Sequence, residues 1–318
     1  MTQTKGGHGQ RVQNGPMRIL PCRPVLRAVL LLLCVSSPAG ATVPEPSLQA
    51  LIDATPTGGV LRLAPGRYAG PAVIGKSLVL DGGGQARLVG DGQGTVLVLR
   101  ANGATVRGLA IAGSGESHDH IDAGLQVEGN DNLVADNRIE DSLFGIHVRA
   151  GNRNRILGND ITGKDLPLGQ RGDGLRLWNS RGHEIAENRF HRIRDLTVAN
   201  SPDNSFVGNS LEDGRYGMQL VFSPRNRIEG NRIVHTGTGV VALYSPDLTV
   251  RGNRIAHALE GGGAGLVFKE SGGALIEDNQ VLHCAAGLQA NAPVNESSIL
   301  TVRGNRFSHN IVDRKSVV

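Results

Sequence analysis

The sequence predicts an all-β fold, a right-handed parallel β-helix of about ten turns that begins with a short capping helix. A short asparagine-centred pattern recurs from residue 105 onward. Glycine supplies 45 of the 318 residues, roughly twice its usual share. Aromatic residues make up 3% of the chain, which excludes a core built from aromatic clusters. Valine, isoleucine and leucine are dispersed singly, as in a fold of many short strands.

The first 41 residues have the features of a secretory signal. They contain five basic residues and no acidic one, an apolar run over residues 28–35, and a closing Ala-Gly-Ala sequence. We therefore expect a signal peptide over 1–41, export to the periplasm, and a β-helix domain over 42–318. Losing those five leaves 28 of the 33 basic residues against 29 acidic ones. This balance argues against a nucleic-acid partner, and no later apolar run has the roughly 20 residues of a membrane span.

The two ends of the predicted β-helix differ. Residues Ser47–Ile52 predict a short helix that closes the first turn, and Gly58–Leu63 predict the first strand. A cap is needed because a bare terminal turn exposes both a backbone edge and the apolar interior. After His309 the chain runs on to Val318 without a second cap, so we expect C-terminal turns to be missing.

The repeating unit is an apolar residue, two residues, asparagine, one residue and a second apolar residue. Its asparagines are Asn137, Asn159, Asn188, Asn209, Asn231, Asn253, Asn279 and Asn305, with gaps of 22, 29, 21, 22, 22, 26 and 26 residues. A period near 22 is too short for helical-hairpin repeats, which need about 33 residues or more, and for four-stranded propeller blades. It fits one turn of a parallel β-helix. We expect the asparagines to form a structural hydrogen-bonding ladder at a corner.

Three turns carry extra residues between the asparagine strand and a following glycine-led strand. The insertions are Ser114–Ala123, Thr162–Asp173 and Ala256–Ala264. In a solenoid this position projects from one corner, and insertions confined to one face usually mark the binding side.

Histidines collect at the same corner. His235, His257, His283 and His309 each follow a repeat asparagine by four positions, in four consecutive turns. Imidazoles one turn apart could share a copper ion, for which imidazole is a suitable ligand. His118 and His120 form a second candidate, because alternate residues of an extended loop point the same way. The alternatives are a polar ladder for the column and a solvated loop for the pair. The candidate copper ligands are thus His118, His120, His235, His257 and His283.

The sequence gives no positive sign of an enzyme. Many β-helices act on acidic polysaccharides with clustered calcium-binding carboxylates or a paired acid and base. Here the acidic residues are scattered, with Asp119 and Asp122 flanking His120 but no Asp-Asp pair. We therefore assign no catalytic residue.

Four stretches resemble a known family. They are GGVLRLAPGRYAGPAVI from Gly58, DAGLQVEGNDNLVADNRIEDSLFGIHV, RGDGLRLWNS and VALYSPDLTVRGNRI, and they are similar in order to the nitrous oxide reductase maturation protein NosD. The resemblance covers residues 48–310. Family members are longer, and where we expect a Met-Tyr segment this chain has Leu220–Pro224, so a diverged paralogue is one interpretation.

The resemblance implies a non-catalytic periplasmic subunit of an ABC-type complex. Its implied partners are a membrane permease with its cytoplasmic ATPase, apo-nitrous oxide reductase, and a copper chaperone. Its implied role is copper delivery in denitrification. Two other function classes stay open on the residues alone: a carbohydrate-binding or polysaccharide-modifying β-helix, and a purely structural docking solenoid.

Overall fold

The computed structural model describes residues 47–259, 263–291 and 299–317. The predicted signal peptide, residues 1–41, lies outside the described residues, as does the middle of the third insertion. Within the described ranges, no helix has the length and hydropathy of a membrane span.

The predicted capping helix is present as α1, Leu48–Ala54. Its apolar side, Leu48 and Ile52, is buried in the core. The Gln49 side chain fastens it to the third strand, because its Oε1 accepts from the Val73 N–H at 2.7 Å and its Nε2 donates to the Val73 carbonyl. The helix thereby covers apolar residues that the first turn would otherwise expose.

Within the described residues, α1 is followed by twenty-nine strands and one short 3₁₀ helix. The strands are β1 (Val60–Arg62), β2 (Gly66–Ala69), β3 (Ala72–Ile74), β4 (Val79–Val89), β5 (Leu97–Leu99), β6 (Thr105–Ala112), β7 (Ala123–Val127), β8 (Leu133–Ala135), β9 (Arg138–Ser142), β10 (Phe144–Arg149), β11 (Arg155–Leu157), β12 (Asp160–Gly163), β13 (Leu175–Trp178), β14 (Glu184–Ala186), β15 (Arg189–His191), β16 (Asp195–Ala199), β17 (Ser205–Val207), β18 (Ser210–Val221), β19 (Arg227–Glu229), β20 (Arg232–Leu243), β21 (Thr249–Arg251), β22 (Arg254–Ala256), β23 (Ala264–Lys269), β24 (Leu275–Glu277), β25 (Gln280–Leu282), β26 (Ala286–Asn291), β27 (Thr301–Arg303), β28 (Arg306–Ser308) and β29 (Val312–Val317). The 3₁₀ helix, Leu168–Gln170, lies in the second insertion.

The strand pairing is that of a parallel β-helix. Every assigned pair is parallel and joins strands one turn apart, as where Ile233 lies beside Ile255. Following one column from Val60 through Val79 to Thr301 gives about eleven turns. The count exceeds the predicted ten because the first turns lack the repeat asparagine. The predicted fold class is confirmed.

The core is a continuous apolar stack along the inside of the β-helix. Ile139, Ile161, Phe190, Leu211, Ile233, Ile255 and Val281 are each at most 1% exposed. Side chains alternate between the two faces of a strand, and the parallel register places equivalent residues beside each other in successive turns. These residues therefore all point inward and stack along the axis of the β-helix. The fold therefore converts one sequence repeat into one spatial column.

The repeat asparagines form hydrogen-bonded rungs. From Asn137 to Asn305 each Oδ1 accepts from the backbone N–H one turn earlier, at 2.9–3.1 Å. Each Nδ2 donates to a backbone carbonyl, as Asn231 does to Phe206 at 2.9 Å. These bonds satisfy backbone groups that a corner would leave without partners.

Sequence analysis missed two further ladders. One consists of Asn132, Asn154, His183, Asn204 and Asn226. The other consists of Ser180, Ser201, Ser223, Ser245 and Ser271. The first was visible in the sequence, since its members precede five successive repeat asparagines by five positions.

Candidate metal-binding edge

Four histidines form a row along one corner of the β-helix. We call His235, His257, His283 and His309 the histidine edge. All four have a left-handed backbone, with φ between 52° and 60°. Earlier turns place Arg192 and Asp213 at this corner, also left-handed. Histidine is among the residues enriched in this conformation. The backbone therefore permits a histidine at this corner, but it does not explain why four successive turns have one.

The four imidazoles stack face to face. Neighbouring ring centroids are 4.9, 5.1 and 4.8 Å apart, with interplanar angles of 19°, 3° and 24°. All four residues are exposed. The spacing follows that of parallel strands, about 4.8 Å, so the fold itself sets the distance between the rings.

Neutral imidazole is the form that binds metals. Burial, the imidazoles of His235 and His283, and Arg254 together lower the pKa of His257. At the first position, His235 Nδ1 lies 3.3 Å from Glu212 Oε1. A carboxylate only accepts, so in a neutral His235 ring Nδ1 donates to Glu212 and Nε2 keeps its lone pair. Carboxylates orient metal-binding histidines in this way.

The stack as it stands does not enclose a metal ion. An imidazole lone pair lies in the plane of its ring, and metal–nitrogen bonds are about 2 Å long, so parallel rings do not converge on one ion. Across the described residues, no three His, Cys, Asp or Glu side chains are close enough to hold a metal. Cys284 beside the edge is buried, and burial raises the pKa of its thiol. Binding at the edge therefore requires the exposed rings to turn.

A cavity of about 490 Å³ lies beside the edge. It is lined by Arg189, Phe190, His191, Arg192, Ser210, Glu212, Asp213 and Arg232. Glu212 belongs both to this cavity and to the His235 pair. The first histidine of the edge thus borders a polar concavity with several cationic side chains.

The prediction of an extended loop around His118 and His120 is wrong. Residues 118–121 form a turn, because the Asp122 N–H donates to the Ser117 carbonyl and Ile121 is left-handed. His118 packs edge-on against Phe144, and its Nε2 lies 3.1 Å from the Gln170 carbonyl oxygen. His120 instead lines a separate groove. The two side chains therefore have different surroundings and do not form a pair.

The first two insertions pack on each other through a small apolar cluster. Ala123, Leu143 and Phe144 are buried there, with Ile121 and Leu166 against them. The first insertion thereby forms a wall beside the outer face of strands β7, β10 and β13. A groove of about 330 Å³ lies against this wall, lined by Asp119, His120, Ile121, Gln126, His147, Arg149, Arg176 and Trp178.

A buried network of acids and arginines adjoins the groove. Asp173 is fully buried and accepts from Arg176 and Arg194, at 3.1 Å each. Asp195, also buried, accepts from Arg215. Burial raises the pKa of Asp173 and outweighs the opposite effect of Arg194. Sequence analysis missed this network because the residues are scattered; their spacing of about one repeat is the signal that could have found them.

The fold and this edge define a class: parallel β-helix proteins that present a row of imidazoles on their surface. Within it, the chain belongs to the NosD family, since the family described as "Periplasmic copper-binding protein (NosD)" matches residues 157–316. The whole histidine edge lies inside the matched segment, whereas His118 and His120 lie outside it.

A curated relative is the "Probable ABC transporter binding protein NosD" of Pseudomonas aeruginosa. It is 32% identical over 136 residues, which cover 42% of this chain and 32% of the relative. The match therefore spans about a third of the relative's length.

Solved structures similar to this chain are β-helices that act on polysaccharides or belong to phage tails. The mannuronan C-5 epimerase AlgE4 A-module of Azotobacter vinelandii has a TM-score of 0.54 at 15% identity, over 85% of this chain and 94% of that one. The periplasmic alginate epimerase AlgG has a TM-score of 0.56 at 12% identity, over 86% and 84%. The Dettilon tailspike protein has a TM-score of 0.56 at 15% identity, over 81% and 61%. At these identities the likeness shows the fold alone.

Proposed function

We propose that this chain is a non-catalytic, periplasmic copper-handling protein that assists the maturation of nitrous oxide reductase. The observation that carries the proposal is the row of four exposed, stacked imidazoles inside the segment that matches the NosD family. Copper is here a cargo, and imidazole is a suitable ligand for it.

The edge is built for transfer rather than permanent storage. Its rings are exposed and can turn toward an ion without disturbing the core. In the neutral ring, the Glu212 carboxylate favours the tautomer of His235 whose Nε2 lone pair is free to bind a metal. Because the next imidazole is always one strand spacing away, an ion released by one ring meets another about 4.8 Å further along.

The partners we propose are an ABC-type membrane permease with its cytoplasmic ATPase, apo-nitrous oxide reductase, and a copper chaperone. The printed name of the Pseudomonas aeruginosa relative, an ABC transporter binding protein, supports the first of these. Export through a cleaved signal peptide over residues 1–41 is part of the same proposal. Co-expression with the permease and ATPase, followed by co-purification from membranes, tests the association.

The direct test is a copper titration of the purified protein and of the His235→Asn/His257→Asn double variant. We expect copper affinity to fall at least tenfold while thermal unfolding is unchanged, because asparagine also tolerates the left-handed corner. The matched control is His118→Asn/His120→Asn, which removes two exposed imidazoles outside the edge and should leave the affinity unchanged.

The two variants separate the competing interpretations. Unchanged affinity in the His235/His257 variant, with loss in the His118/His120 control, would move copper binding to the inserted loop. Unchanged affinity in both would make the histidine edge a structural ladder and leave copper to the partner proteins. Wild-type binding should also weaken as pH falls below about 6, because protonated imidazole is no ligand.

A further inference from the structure

The groove beside the inserted loops, described above, is a second site. Parallel register places Gln126, His147 and Arg176 side by side on its floor, and Arg149 beside Trp178 at its rim. Its volume of about 330 Å³ falls in the range of small-ligand clefts. No member of the histidine edge lines it.

Two arginines give the groove an excess of positive charge. Arg176 is held by the fully buried Asp173, through Nη1 at 3.1 Å, and its Nε has no partner among the described residues. Arg149 is exposed and forms no ion pair within the described part of the chain. The acidic lining residue is Asp119. A guanidinium fixed in this way matches the planar, two-oxygen geometry of a carboxylate.

Trp178 supplies an apolar surface next to these cations. It is 38% exposed, and the Arg176 Cζ lies 5.5 Å from its ring centroid. Large exposed aromatic side chains with polar neighbours are typical of binding surfaces. An inorganic anion would use the arginines but gain nothing from the indole, so the combination favours a ring-shaped ligand that carries a carboxylate.

The floor adds a polar group that lacks a partner. His147 is 4% exposed, and its buried Nδ1 forms no hydrogen bond with the described residues. Burial, with Arg176 and Arg149, lowers the pKa of His147 to about 4. The ring is therefore neutral at pH 7 and can both donate to and accept from a hydroxyl. A buried polar group without a partner is costly, and a bound ligand would relieve that cost.

From these contacts we infer that the groove binds an acidic saccharide, a short chain of uronic-acid residues, with its carboxylate on Arg149 and Arg176 and a sugar face on Trp178. This function is additional to copper handling and uses a different surface. It requires no chemical step, only recognition of a ring, a carboxylate and hydroxyl groups by the residues that line the groove.

The chain provides its own probe, because Trp178 is its one tryptophan. We would titrate the full chain with a mannuronate tetrasaccharide at pH 7 and record tryptophan fluorescence. We expect a saturable change, and Arg149→Gln should weaken binding about tenfold, the loss of one charge-assisted hydrogen bond. Lys269→Gln is the matched control: Lys269 is exposed and lies on the same outward column, beyond Ala199, Val221 and Leu243.

Three comparison ligands make the result decisive. Cellotetraose, which lacks carboxylates, should bind at least tenfold more weakly, and inorganic phosphate and glucuronate should each bind more weakly than the tetrasaccharide. Equal binding of cellotetraose would overturn carboxylate recognition, and equal binding of phosphate would reduce the groove to a small-anion site. No saturable change up to 10 mM tetrasaccharide, roughly a free energy of −3 kcal/mol, or equal loss in Arg149→Gln and Lys269→Gln, would overturn the proposal.

Discussion

The histidine edge and the groove arise from the same corner of the same repeat, but in different turns. In the later turns the corner residue is the same each time, so parallel register stacks four like side chains at 4.8–5.1 Å. In the earlier turns the insertions Ser114–Ala123 and Thr162–Asp173 pack on each other, and residues of the first one form one side of the groove. Repetition of one residue type therefore produces a row of identical, exposed side chains. An insertion instead produces a concave site lined by side chains of different chemistry.

The two regions also differ in how they treat charge. The groove is underlain by Asp173 and Asp195, both buried and both paired with arginines. Among the described residues, the histidine edge has one carboxylate contact, from Glu212, and its residues are exposed. Buried pairs fix geometry, and exposed rings keep freedom to turn.

The largest effect should come from the core that both regions share. Ile233→Asp puts an unpaired carboxylate into the apolar stack and should lower the free energy of unfolding by more than about 4 kcal/mol. Denaturant unfolding at pH 7 measures it, with exposed Arg232→Ala as the control. Similar unfolding of the two variants would show that Ile233 does not face a continuous core.

The second effect depends on pH and on His183, the histidine within the Asn132 ladder. Its Nδ1 accepts from the Asn154 N–H at 3.0 Å, and burial lowers its pKa to about 4. The unfolded chain, with a pKa near 6.5, therefore binds the proton first. Stability should fall as pH drops from about 6.5 to 4, by about 3 kcal/mol for this residue.

The variant that tests it is His183→Asn, which restores the residue type of that ladder. Urea unfolding at pH 7 and pH 4 should show a smaller loss on acidification than in the wild type. Because His147 in the groove has a similarly low pKa, part of the acid loss should persist. An identical acid loss in both proteins would contradict the assignment.

The third effect concerns one rung of the main ladder. Asn231→Ala leaves the Asn209 N–H and the Phe206 carbonyl without their side-chain partner and should cost about 1–3 kcal/mol. Gln280→Ala removes an exposed amide on strand β25, two turns further along, and should cost less than about 0.5 kcal/mol. Equal melting temperatures for the two variants would show that the side-chain hydrogen bonds of Asn231 do not stabilise the corner.

The smallest effect should be that of His257→Asn on stability. The ring is exposed, and asparagine suits the left-handed corner, so the melting temperature at pH 7 should stay within about 2 °C. Copper binding should nevertheless weaken, because the stack loses its second ring. A marked loss of stability instead would make this stack a structural element like the asparagine ladder.

The sequence by itself determined the β-helix, its core column and the alignment of the four histidines. The reason is that one sequence repeat forms one turn, and the parallel register places equivalent positions of successive repeats beside each other. Residues four positions after successive repeat asparagines must therefore stack. Family membership, too, could be predicted from the ordered motifs. The Asn132 ladder was also readable from spacing, although His183 interrupts its residue type.

Tertiary structure decided everything that breaks the repeat. Whether residues 118–121 are extended or turned depends on contacts of the inserted loops with Phe144 and Gln170, which lie in other turns. Arg149 pairs with Trp178 of the next turn. This pairing depends on how many residues of the second insertion, which separates them in the sequence, lie outside the strands. The conformation of the loops is set by packing against residues that are distant in the sequence, and the repeat does not determine it. The groove therefore could not be predicted from the sequence.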